Sequence, residues 1–171
     1  DEEGKLIKAG GGGLGGNIYG EGGQANLYGG VVRDGDANHG GNIGTNSGSS
    51  NFLLDGVQVL NGVASANGGN IAVNVRANKS FVITGDTLIS GGNAASNGGN
   101  IYASAWVNNK MDTVITVTGG TIEKGFANRQ GGNFYLTNSV GSGFKTILNV
   151  SGGKIVDGAT KDCGGNIQAA G

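Results

Sequence analysis

The sequence predicts an all-β fold: a right-handed parallel β-helix (β-solenoid) with three short strands per coil, about six levels and no capping helix. Three observations predict it. First, Gly-Gly-Asn followed by an apolar residue starts at Gly15, Gly40, Gly68, Gly98, Gly131 and Gly164, with steps of 25, 28, 30, 33 and 33 residues. A period of that size marks units that bury their apolar faces only by stacking on one another. Second, a block of constant internal spacing lies between successive copies. Third, no segment carries a helical period, and the 171 residues include 39 glycines and no proline.

After each Gly-Gly-Asn comes a first strand, pointing Ile18, Ile43, Ile71, Ile101, Phe134 and Ile167 inward. The second strand opens the block x-Φ-x-Φ-x-Gly-x-x-Φ-x-x-Gly, found at Gln24–Gly35, Asn51–Gly62, Ser80–Gly91, Val114–Gly125 and Ile147–Gly158. Its alternation puts Phe52 and Leu54, Phe81 and Ile83, Ile115 and Val117, and Leu148 and Val150 on one face. Gly29, Gly56, Gly85, Gly119 and Gly152 then turn the chain into a third strand. That strand has one inward column: Val32, Val59, Leu88, Ile122 and Ile155. The closing glycines, Gly35, Gly62, Gly91, Gly125 and Gly158, begin the corner that leads to the next repeat. The chain is thus one domain over 1–171, with partial coils at 1–14 and 164–171 and full coils at 15–39, 40–67, 68–97, 98–130 and 131–163. Right-handedness is the expectation from the chirality of parallel crossovers.

The repeated asparagines, Asn17, Asn42, Asn70, Asn100, Asn133 and Asn166, fall at one corner of successive coils. Identical stacked amides can donate to one level and accept from another, so an asparagine ladder is expected there. From the first glycine of each repeat to the turning glycine the count grows through 14, 16, 17, 21 and 21, while the remainder stays at 11 to 13. All insertions are therefore assigned to the corner between the first and second strands, as a ridge of loops. The two longest, 103–113 and 136–146, would be the first surfaces to meet a partner, through Trp106, Asn108, Asn109, Lys110, Phe144 and Lys145.

Composition narrows the function. Eleven basic and twelve acidic residues leave a net charge of −1 without a basic cluster, which argues against nucleic acid. No apolar run is long enough for a membrane-spanning helix. Gly11-x-Gly13-x-x-Gly16 matches a dinucleotide fingerprint only literally, because no helix follows it. Asp34, Asp36 and His39 read as a solvated turn rather than a metal or acid–base site. Arg33, Glu123 and Lys8 share an outward column that Leu60, Ile89 and Val156 interrupt, so the carboxylate cluster of a polysaccharide-cleaving enzyme does not form. The lone Cys163 reads as a small buried residue. No cofactor, metal or catalytic residue is assigned.

The segments GGTIEKGFANRQGGNFYL (Gly119–Leu136) and GVASANGGNIAV (Gly62–Val73) resemble the glycine-rich right-handed β-helix repeats of bacterial surface proteins. They are similar in rhythm to the GGAI repeats of chlamydial polymorphic outer-membrane proteins. Here Asn stands where those have Ala, and a regular Phe-x-x-Asn is missing. The likeness covers nearly the whole chain and specifies a fold, not an activity. It implies secreted or surface-anchored adhesins and passenger domains.

These readings converge on a non-catalytic structural protein, extracellular or on the cell surface, that associates end to end with itself or continues a longer solenoid. The second expectation is an adhesin segment whose corner loops touch glycans or a host surface. A polysaccharide lyase or hydrolase ranks third.

Overall fold

The structure is a computed structural model and describes residues 13–45, 51–74, 80–105, 111–138 and 143–171. Those residues form twenty-one strands and no helix. Every pairing is parallel and joins one coil to the next, as a β-solenoid requires. The three expected strands recur in each coil. The first-strand sheet has six members: β1 (Ile18–Gly20), β5 (Ile43–Thr45), β9 (Ile71–Val73), β13 (Ile101–Ala105), β17 (Phe134–Asn138) and β21 (Ile167–Ala170). The second has five: β2 (Gln24–Tyr28), β6 (Asn51–Asp55), β10 (Phe81–Thr84), β14 (Thr113–Val117) and β18 (Thr146–Val150). The third, also of five, comprises β3 (Val31–Arg33), β7 (Gln58–Leu60), β11 (Leu88–Ser90), β15 (Thr121–Glu123) and β19 (Lys154–Val156).

A fourth ladder, not foreseen, follows the closing glycines: β4 (Asp36–His39), β8 (Val63–Asn67), β12 (Asn93–Ala94), β16 (Phe126–Ala127) and β20 (Ala159–Thr160). Its inward column is Ala37, Ala64, Ala94 and Ala127, each buried. Methyl side chains carry little of the hydrophobic pattern by which a strand is recognised, so sequence alternation is faint in this segment.

The core is the set of apolar columns. Ile43, Ile71, Ile101 and Phe134 stack along the first sheet, and Phe52–Phe81–Ile115 and Leu54–Ile83–Val117 along the second, all essentially buried. The rings of Phe52 and Phe81 stack at 5.6 Å between centroids. Along the third sheet the inward column is Val32, Val59, Ile89, Ile122 and Ile155. This corrects the expectation of Leu88: Leu88 pairs with Thr121 and is only half-buried, while Ile89 is fully buried. The cause is one extra residue in the turn between β10 and β11. Where the preceding coil has Val57 alone between Gly56 and β7, Asp86 and Thr87 both fit, and Thr87 tucks inside, its hydroxyl donating to the Thr84 carbonyl at 2.7 Å and accepting the Val57 N–H. Insertions are therefore not confined to the first corner.

The same slip moves the closing glycine of that coil from Gly91 to Gly92. Gly92, like Gly62 and Gly125, gives its N–H to the repeat asparagine of the next coil. Gly91 instead joins a column of left-handed residues with Asp34, Asn61, Lys124 and Asp157, at φ between 53° and 69°. Only glycine adopts that conformation freely, so Lys124 sits at a steric cost.

The register makes a direct test. Ile89→Ala is expected to cost about 2–5 kcal/mol by leaving a cavity in the core, and Leu88→Ala less than half of that, read by urea unfolding. Equal losses would contradict the one-residue slip.

Candidate functional site

The most ordered polar feature is internal. Nδ2 of Asn17, Asn42, Asn70, Asn100 and Asn133 donates to Oδ1 of the next asparagine at 2.7, 2.7, 2.7, 2.7 and 2.8 Å, ending on Asn166. The second N–H of each amide goes to a carbonyl at the end of the third strand of its own coil: Arg33, Leu60, Ser90, Glu123 or Val156. Each oxygen from Asn42 onward also accepts the N–H of a closing glycine, Gly35, Gly62, Gly92, Gly125 or Gly158. The amides of Asn42, Asn70, Asn100 and Asn133 are fully buried, and both donors and the oxygen of each are used. The predicted ladder is therefore present, and it also ties the start of the first sheet to the end of the third.

Glycine is what lets the walls approach. A Cβ on Gly99 would come within 2.2 Å of the Gly132 carbonyl oxygen, and one on Gly125 equally close to the same atom. All five side-chain donations run the same way along the axis, toward the C-terminal coil.

On the outside, the residues just before each Gly-Gly-Asn make a second column. Leu14 bridges to His39, and His39 pairs with Asn67. The Asn67 oxygen accepts both the backbone N–H and the Nδ2 of Asn97. Its NH2 group therefore faces Nδ1 of His39, 3.4 Å away. Nδ1 must accept, which places the proton of the neutral imidazole on Nε2. Burial holds the His39 pKa below its ordinary value, because the charged ring would be poorly solvated there. The column is not a full ladder: Gln130 reaches to Asp162 and Cys163 instead, and among the described residues the buried Asn97 Oδ1 has no partner.

Beside this column lies the outward face of the first sheet, with Tyr19, Gly44, Ala72, Tyr102, Tyr135 and Gln168 in line. The rings of Tyr102 and Tyr135 stack 5.9 Å apart and 11° from parallel. The His39 ring lies 6.3 Å from that of Tyr102. Burial raises the Tyr102 pKa, against a hydrogen bond from Ser104 that lowers it. A cavity of about 320 Å³ opens over Ala72, between Leu14 and His39 on one side and Tyr102 on the other. Nothing in the repeat pattern announced it, since it arises where the outward column holds small residues.

The other sequence candidates scatter. Trp106, Asn108, Asn109 and Lys110 lie outside the described residues. Phe144 and Lys145 lead into β18, where the Lys145 N–H donates to Asp112. His39 turns to Asn67 and Tyr102, while Asp34 pairs with Arg33. Among the described residues no three His, Cys, Asp or Glu side chains gather as a metal site, and no helix is long and apolar enough to cross a membrane. Ile89 leaves the outward column of Arg33 and Glu123, and Ser90 takes its place, its hydroxyl near the Glu123 carboxylate. Cys163 is exposed, correcting the expectation of burial: it sits on the last coil, where no following level covers it among the described residues.

That last coil is the remaining surface of note. β18, β19, β20 and β21 are the outer members of their sheets. Val150 and Ile167 there are 49% and 42% exposed, although both belong to inward columns that are buried at the inner levels. Comparison with protein-family models, curated proteins and solved structures finds no match for this chain.

Two outcomes are expected. Asn100→Ala strands the donors of Asn70 and Gly92 and the acceptors of Asn133 and Glu123, so it should cost at least about 3 kcal/mol in urea unfolding. Asn17→Ala, at an exposed amide, should cost clearly less. For His39, the unfolded chain takes up a proton more readily than the folded one. Its contribution to stability is complete above about pH 6.5 and is lost as pH falls through the lower folded value. His39→Gln should remove that component of the pH dependence of the melting temperature.

Proposed function

We propose that this chain is a non-catalytic structural β-solenoid, a subunit or segment of an extracellular or surface fibre that grows by stacking coils end to end. The observation that carries this reading is the polarity of the amide ladder. Asn17 through Asn133 donate toward the C-terminal coil, and Asn42 through Asn166 accept from the N-terminal side. Two C-terminal faces brought together would set donor against donor, whereas a head-to-tail contact continues the pattern. Head-to-tail contacts that do not close into a ring build filaments.

The final coil fits such a contact. It offers four parallel strand edges together with Val150 and Ile167, and a stacked coil would cover them with the same columns that bury their equivalents elsewhere. The surface location rests on the resemblance to glycine-rich repeats of bacterial surface proteins, which also leaves open that the neighbouring coil belongs to a longer solenoid.

Sedimentation and electron microscopy across a concentration series provide the test. The chain should form unbranched rods whose mean length rises with concentration, and a Val150→Lys, Ile167→Lys double variant should stay single while melting cooperatively. A chain that remains single at every concentration would rule the reading out.

A further inference from the structure

We propose that the cavity over Ala72 is a binding site for a flat, uncharged aromatic ring carrying a hydrogen-bond acceptor, seated as a missing rung of the outward tyrosine column. Along that column the rings of Tyr102 and Tyr135 already stack. The next two levels hold Ala72 and Gly44, and Tyr19 follows. Levels repeat at about 4.8 Å, so among the described residues two positions of the column carry no ring of their own, and the His39 ring, 6.3 Å from that of Tyr102, borders the gap.

The two small residues are small for different reasons. At Gly44 a Cβ would come within 2.4 Å of the Gly15 nitrogen, so backbone contact dictates glycine. At the position of Ala72 the equivalent coils carry Tyr102 and Tyr135, so the strand itself accepts a large ring there. The gap over Ala72 is thus not forced by packing of the coil.

The walls define the ligand. Leu14, Ala72, Val73 and Tyr102 supply apolar surface, and among the described residues none that lines the cavity is charged. A volume of about 320 Å³ lies at the small end of ligand pockets and suits one or two rings. The described walls carry no charge and so offer no partner to an ionised group, which would lose its water without compensation. An aromatic face laid on Tyr102 would gain the offset stacking that Tyr135 makes on the other side. His39 lines the same cavity, and with its Nδ1 engaged by Asn67 it has the Nε2 proton to donate. A phenolic or carbonyl oxygen on the ring would answer that donor.

His39 is the only histidine, so its ring gives a single resonance to follow by NMR. The probe is para-cresol, with cyclohexanol, benzoate and glucose as comparisons. A saturable shift of the His39 signal with a Kd of about 1 mM or tighter is expected for para-cresol, with each comparison compound at least about tenfold weaker. Tyr102→Ala and Ala72→Leu should each weaken the para-cresol response at least about tenfold, in samples whose melting remains cooperative. Should either variant fail to fold, the probe series on the unaltered chain decides. No saturable shift with para-cresol overturns the proposal, and so does equal or tighter binding of cyclohexanol, benzoate or glucose. A His39 shift that follows protein concentration without any probe would assign the cavity to a second copy and equally overturn it. Because the readout does not depend on rod formation, failure here leaves the fibre reading to its own test.

Discussion

A primary amide in a dry interior has to satisfy two donors and an oxygen with two acceptor sites, and here each buried asparagine meets that demand with neighbours one level apart and with the backbone of the opposite wall. Leaving any of these groups unpaired would cost about 1–3 kcal/mol. The arrangement therefore holds only if successive coils sit at one spacing and one register. Every other feature of that corner is subordinate to that condition. The closing glycines lie where they can hand an N–H to the amide, and the paired glycines let the carbonyl of the next coil approach where a methyl group could not fit.

This condition explains how repeats of 25 to 33 residues can share one cross-section. The ladder fixes one corner, the apolar columns fix the walls, and extra residues are accommodated between walls. Most go to the corner between the first and second strands. One residue goes to the turn before β11, where Thr87 converts an insertion into a buried hydrogen-bonded plug. The left-handed residues before the closing glycines show the same priority: Lys124 takes a strained backbone angle so that Gly125 can reach Asn133.

The interior is periodic and the exterior is not, and the two carry different kinds of information. Regular interactions run along the axis, which is the direction in which further coils would add. Irregular ones interrupt the outer faces, as where Gly44 and Ala72 break the tyrosine column or where Gln130 ends the His39–Asn67–Asn97 series. A structural role draws on the first set, and selective recognition of a small molecule could arise only in the second.

The sequence by itself determined the coil, its three principal strands, the inward columns of the first and second sheets and the asparagine ladder. These features recur from coil to coil, so their pattern is written five or six times over in residue type and spacing. It did not reveal the fourth ladder, whose alanines have too little hydrophobic contrast, nor the slip that buries Ile89 in place of Leu88, where two adjacent apolar residues fit either register equally well. Only the tertiary structure decided those, together with the exposure of Cys163 and the cavity beside His39. The physical reason is that residues such as Leu14, His39, Ala72 and Tyr102 come from four different coils, and their proximity depends on stacking distance and side-chain volume instead of any local run of the chain.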